Sequence, residues 1–274
     1  MREMVLSMLR RFPRVKAVLK RLRGSLFPFS GVSSNYIEMT CGESGAESVR
    51  LRGAWQANEL PEKQRKLVDR QLVDYRNGAH IDVFDVMIQA LRRLAADPSV
   101  AGSPMTVLEV GCSSGFYSEV FDIAGLDLRY TGADYSAAFV ALAKSKYPAL
   151  RFDVEDATAL SYARDAFDVV ISGCCLLHIP EYEAAVAETA RVARLYAIFH
   201  RTPVVWGQPN KYYRKLAYGV ETVEIHFNEP DFLALLSRNG LELLSTHTLH
   251  EESPDADRAR GNAIRTYVCR KKPQ

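Results

Sequence analysis

MTVLEVGCSSGFYSEVF, residues 105–121, has the outline of a strand running into a glycine-marked loop and then a helix. TVLEV (106–110) supplies the short apolar run, and the helical pattern resumes at about residues 115–124. Downstream the same rhythm repeats. LRYTGAD (128–134) precedes SAAFVALAKSKY (136–147), LRFDV (150–154) precedes a short loop, and FDVVISG (167–173) precedes EYEAAVAETARVA (181–193) and then LYAIFH (195–200). Short apolar strands alternating with helices predict an α/β fold: a Rossmann-like, doubly wound, mostly parallel sheet covered on both faces. After residue 200 the rhythm breaks. Helix PDFLALLSRNG follows, and LELLSTHTLH and AIRTYVCR come last with no crossover helix between them, which predicts an antiparallel final pair.

The loop itself narrows the ligand. A dinucleotide site wants G-x-G-x-x-G, whose second glycine admits a pyrophosphate, whereas this loop reads Gly111-Cys112-Ser113-Ser114-Gly115. No Lys-Ser/Thr pair of a phosphate-cradling loop follows. Asp134 ends the second strand, at the carboxyl edge where open sheets bind ligands, and its carboxylate can accept both hydroxyls of a ribose. That role belongs equally to NAD and to S-adenosylmethionine. Glu109, at the mouth of a buried strand, costs several kcal/mol unless paired, on the order seen for buried charges, and a cationic amino group would pair it.

At these residues the chain resembles the class I S-adenosylmethionine-dependent methyltransferases. LEVGCSSGF is similar to their E-x-G-x-G-x-G motif, YTGADYS to the second motif, VEDATAL to the third, and FDVVISGCCLLHIPEYEAAVAETARVAR to the fourth strand and its helix. The resemblance implies a seven-stranded sheet with an antiparallel C-terminal strand and S-adenosyl-L-methionine as cofactor. It implies a glycine loop of Gly111, Cys112, Ser113 and Gly115, with Glu109 beneath it and Tyr117 just beyond. Asp134 is expected on the ribose hydroxyls, Tyr135 beside the adenine, Asp156 and Ala157 at the adenine amine, and Gly173 and Cys174 over the methionine part. One departure stands out: Ser113 replaces the middle glycine.

The same resemblance implies methyl transfer to a small-molecule acceptor, O- or N-directed, such as a sugar, lipid-linked or other envelope metabolite. An oxygen acceptor needs a base near pKa 7, for which His178, His200 and His226 are the candidates. Acceptor walls are expected from the annex helices, with Lys63, Arg65, Lys66, Arg70 and Arg76, and from an insertion at 201–230. That insertion carries Trp206, Tyr212, Tyr213, Tyr218 and Phe227 beside Arg201, Lys211, Arg214 and Lys215. Two other classes compete: an NAD-dependent oxidoreductase, opposed by the missing close glycine, and a non-catalytic ligand-binding or partner protein on the same fold.

Composition bounds the rest. Across 274 residues, 47% are hydrophobic and 25% charged, ordinary for a globular chain. Five scattered cysteines form no disulfide framework, and neither C-x-x-C nor H-E-x-x-H offers a metal site. The net charge of +2 hides an asymmetry: residues 1–24 carry eight basic residues against Glu3, leaving a weakly acidic body. A weakly acidic body argues against a nucleic-acid partner. The division expected is a basic amphipathic arm at 1–24, an N-terminal loop and helical annex at 25–100, and the catalytic domain at 101–274. Three roles compete for the arm: packing on the body or in a homodimer, contact with an anionic membrane surface, and targeting or disorder. The start lacks the apolar core of a signal peptide, so the expected location is cytoplasmic, at the inner face of the membrane if the arm binds lipid.

Overall fold

The computed structural model describes residues 32–40, 45–100, 104–253 and 258–273; the arm of residues 1–24 lies outside them. From the N-terminus come β1 (Val32–Glu38), α1 (Ala46–Arg52), a 3-10 turn at 53–56, α2 (Leu60–Arg76) and α3 (Asp82–Ala95). The alternating core follows: β2 (Met105–Val110), α4 (Phe116–Ile123), β3 (Leu128–Asp134), α5 (Ala137–Lys146), β4 (Arg151–Val154), β5 (Phe167–Gly173), α6 (Tyr182–Val192) and β6 (Ala193–Trp206). The chain closes with β7 (Lys211–Ala217), β8 (Val220–Asn228), α7 (Glu229–Arg238), β9 (Leu241–Glu252) and β10 (Gly261–Lys271).

Strands β2 to β6 pair in parallel in the order β4-β3-β2-β5-β6, and β10 joins β6 and β9 antiparallel. These seven strands are the sheet expected from the sequence. Successive strand residues point to opposite faces, so one strand feeds two cores. Val107, Ile171 and Ile198 pack toward Phe84, Met87 and Leu91 of α3. Leu108, Val170 and Phe199 share the other core with Phe232, Leu235 and Tyr267.

Three further strands extend this sheet to ten among the described residues. Beyond His200, β6 leaves β5 and runs on, pairing Val204 and Val205 with Phe227 and Asn228 of β8. Strand β7 returns antiparallel on β8, and β1 adds to β7. The result is a β-wing beyond the carboxyl ends of β2 and β5. The N-terminal loop expected ahead of the annex helices thus contains a wing strand, β1, and a helix, α1. The 201–230 stretch, expected as an acceptor-side insertion, forms the end of β6 and a β-hairpin. Its turn is Tyr218-Gly219, with φ of +50° and +93°, the signs a two-residue hairpin turn requires.

Ile81 is the N-cap of α3 and Asp82 its first residue. On α2, Arg65 is buried, held by Asp69, Tyr147 and Glu119, and it braces the annex against α4 and α5.

Candidate active site

A cavity of about 350 Å³ lies between the carboxyl edge of the parallel strands and the wing, within the size range of small-ligand sites. At one end are Gly111, Ser113, Asp134, Tyr135 and Ala157. Gly111 has φ +75°, and a Cβ there would collide with the Cys175 side chain. Ser113 has φ +55°; its N–H donates to Asp134 Oδ2 at 2.8 Å, and its hydroxyl donates to Gln64 of α2. Asp134 Oδ1 accepts the Ser136 N–H at 2.9 Å. Burial pushes the Asp134 carboxyl up to about 6, against the two backbone donors that lower it. Each of its oxygens therefore accepts one N–H and keeps a further lone pair.

An N-terminal strap closes this end. Arg52 donates to Asp156 Oδ1 at 2.6 Å and to Glu181 Oε2 at 3.1 Å, and its guanidinium lies 4.8 Å from the Tyr135 ring centre. Neither Arg52 nor Gln64 has a sequence signal, because each acts through contacts more than 45 residues away.

At the other end stand Trp55, His178, Arg201, Lys215, Tyr218 and Glu224. His178 Nδ1 lies 2.5 Å from the Val223 carbonyl. A carbonyl only accepts, so Nδ1 carries the proton and Nε2 is left as the acceptor nitrogen. Burial lowers the His178 pKa below its ordinary value, and its ring lies 4.6 Å from that of Trp55. Lys215 donates to Glu224 at 2.5 Å and to the Tyr36 hydroxyl at 2.7 Å. Glu224 also contacts His226 Nε2 at 3.1 Å. Its carboxyl falls to about 2: burial alone would raise it, but His226, Lys215 and His178 together outweigh that.

The cavity gathers eight of the twelve residues expected around a cofactor: Gly111, Ser113, Tyr117, Asp134, Tyr135, Ala157, Gly173 and Cys174. The other four stand behind it. Cys112 is fully buried. Gly115 caps α4 in the left-handed region, where a Cβ would strike Phe152. Asp156 holds Arg52 and the Thr158 hydroxyl. Glu109, 1% exposed, accepts from the Tyr130 hydroxyl at 2.5 Å, so its partner is a phenol. Burial raises its carboxyl to about 8.

Of the three histidines, only His178 lines the cavity. His200 is 1% exposed, its nitrogens 2.9 Å from Thr266 Oγ1 and 2.8 Å from the Tyr117 hydroxyl, and burial pushes it down to about 3. His226 lies behind Glu224, between the Tyr36 and Tyr213 rings. Of the expected acceptor-wall residues, Arg201, Lys215 and Tyr218 line the cavity; Trp206, Tyr212, Tyr213, Phe227, Lys211 and Arg214 do not. Nor do Lys63, Arg65, Lys66, Arg70 or Arg76.

A family model described as a methyltransferase domain matches residues 108–199. The chain is 35% identical over 103 residues to a demethylmenaquinone methyltransferase of Renibacterium salmoninarum, covering 38% of this chain and 43% of that protein. It is 31% identical over 126 residues to a phthiotriol/phenolphthiotriol dimycocerosates methyltransferase of Mycobacterium leprae, covering 44% and 42%. The matches thus span less than half the length of these relatives. Among solved structures, a magnesium protoporphyrin IX methyltransferase of Synechocystis with bound S-adenosylmethionine superposes with a TM-score of 0.50 at 16% identity, over 82% of this chain and 97% of that one. Residues 108–199 thus match a methyltransferase domain, and the fold is that of the S-adenosylmethionine-dependent methyltransferases.

Proposed function

We propose that this protein methylates a hydroxyl of a small-molecule acceptor with S-adenosylmethionine, and that His178 is the general base. The carrying observation is a single cavity with a nucleoside-type end at Asp134 and an unprotonated imidazole nitrogen, His178 Nε2, at the other. The residues at the first end fit the cofactor. Asp134 offers two free lone pairs to a ribose diol, Tyr135 a ring face, and Ala157 a small wall. When bound, S-adenosylmethionine supplies a methyl group on a positively charged sulfur. Ser113 and Ser136 hold the Asp134 carboxylate in place, and the wing and the Arg52 strap exclude water. His178 Nε2 takes the acceptor's proton, while the Val223 carbonyl fixes its tautomer. The relatives are named as methyltransferases of demethylmenaquinone and of phthiotriol/phenolphthiotriol dimycocerosates, which supports a non-macromolecular acceptor here.

Asp134→Ala should weaken S-adenosylhomocysteine binding tenfold or more by calorimetry; unchanged affinity would sink the cofactor reading. With labelled donor and a metabolite extract, His178→Ala should lower turnover at least a hundredfold, on the scale of a lost general base, with cofactor affinity unchanged. Equal turnover would remove His178 from the chemistry. The charge of residues 1–24 supports a cytoplasmic protein in peripheral contact with an anionic membrane; a homodimer through the arm is its competitor. Deleting that stretch should abolish binding to anionic vesicles at low salt, and retained binding would leave packing or assembly as the arm's role.

A further inference from the structure

Arg201 stands at an irregularity of β6. Opposite it, β10 pairs Arg265 with Thr202 and Tyr267 with Phe199, so His200 and Arg201 together face the single residue Thr266. This is a bulge, and Arg201 within it has φ +55°. Bulges beside active sites re-aim a side chain, and a non-glycine residue in the left-handed region carries strain of roughly 1–2 kcal/mol. The bulge falls where β6 passes from β5 to β8, and there Arg201 is exposed and lines the cavity.

Among the described residues, no hydrogen bond or ion pair engages the Arg201 guanidinium, although Glu224 acts on it electrostatically. The other cavity cations have anions of their own: Lys215 has Glu224, and Arg52 has Asp156 and Glu181. The wing end of the cavity therefore holds one positive charge without an ion pair, on a planar group shaped to grip a carboxylate with two parallel hydrogen bonds. Trp55, Tyr218 and Leu177 supply flat or apolar wall to the same cavity.

We propose that Arg201 anchors an anionic acceptor, a carboxylate carried on an aromatic or alicyclic body, and so decides which molecules enter the site. The inference rests on the methyltransferase reading and adds the acceptor's charge to it. A carboxylate at Arg201 sets the acceptor's orientation in the same wing-end space as His178 Nε2.

The test uses the full chain, saturated with S-adenosylhomocysteine, and a panel of hydroxylated aryl and alicyclic carboxylates, each paired with its methyl ester. In the wild type at least one acid should bind tenfold or more tightly than its ester by calorimetry. Arg201→Met should erase that preference, and Arg201→Lys should restore part of it, with thermal melts confirming the fold of each variant. If no acid outbinds its ester, or if the preference survives in Arg201→Met, the proposal is overturned. It is also overturned if Arg201→Met weakens S-adenosylhomocysteine tenfold but leaves 5′-methylthioadenosine unchanged, because Arg201 then holds the methionyl carboxylate. Failure of the underlying reading looks different: wild-type protein would bind neither nucleoside, whatever the behaviour of the acids.

Discussion

Ser113 holds a left-handed backbone with a β-carbon, and it has company. Six described non-glycine residues have positive φ; Ser113, Cys174, Arg201 and Tyr218 line the cavity, while Asp165 and Arg258 lie outside it. Such strain persists only where surrounding contacts over-determine it. At Ser113 those contacts are its N–H on Asp134 and its hydroxyl on Gln64. The two contributions can be separated. Ser113→Ala keeps the strain and loses the hydroxyl bond, so it should cost about 1 kcal/mol. Ser113→Gly loses the same bond but relaxes the backbone, and should be more stable than the alanine variant by about 1 kcal/mol. Urea midpoints would measure both, and an alanine variant as stable as the glycine one would mean the left-handed backbone is not strained. The sequence exposed the oddity of Ser113 through its motif position. It gave no sign of Gln64, since one glutamine on a polar helix has no pattern to betray its contact.

The wing is the element that sequence reading recovered least. Its signals existed. Val223, Ile225 and Phe227 alternate with Thr222, Glu224 and His226, and Tyr218-Gly219 is a turn. But the polar side of that alternation is largely buried, with Thr222 and Glu224 out of solvent, and β1, with the short sequence VSSNYIE, gains its place by pairing with β7 some 180 residues later. The central parallel strands β2, β5 and β6 were legible because each is buried on both faces and reads as an apolar run. Within the wing, Lys215 and Glu224 are 9% and 5% exposed and form one buried pair. Removing one member of such a pair strands the other charge, typically at about 3–5 kcal/mol. Glu224→Leu should lose that much by denaturant unfolding, and adding Lys215→Met should recover most of it. A double variant as unstable as the two single losses added together would show that the pair is not energetically coupled. Because β8 also carries the Val223 carbonyl that orients His178, the single variant should lower turnover even where it remains folded.

For the whole molecule, the consequence lies in pH. Glu109 sits at the centre of the sheet, and Gly173 packs so closely on it that a Cβ there would meet Glu109 Oε1 at 2.8 Å. Its carboxyl is raised to about 8, first by burial and then by Asp134, with the Tyr130 hydrogen bond opposing. An unfolded glutamate titrates near about 4.3. Between those values the folded chain keeps a proton that the unfolded chain has released. Unfolding then sheds a proton, and the stability associated with Glu109 is full below the unfolded value and declines as pH rises toward 8. The limiting slope for one proton is about 1.4 kcal/mol per pH unit. Asp134, raised to about 6, acts in the same direction but mainly at lower pH. Glu224, lowered to about 2, contributes stability that is lost only as pH falls through that value. Buried His200 and the buried thiols of Cys175 and Cys269 also change stability between pH 6 and 9, so Glu109 is isolated by comparison with a variant that differs at that residue alone. Glutamine copies the shape of the protonated acid without its titration, so Glu109→Gln should show a flatter fall in melting temperature across that window than the wild type and should be the more stable of the two at pH 9. Parallel melting profiles would mean that Glu109 is already ionised at neutral pH, and the electrostatics of the sheet centre would have to be redrawn with a charge there.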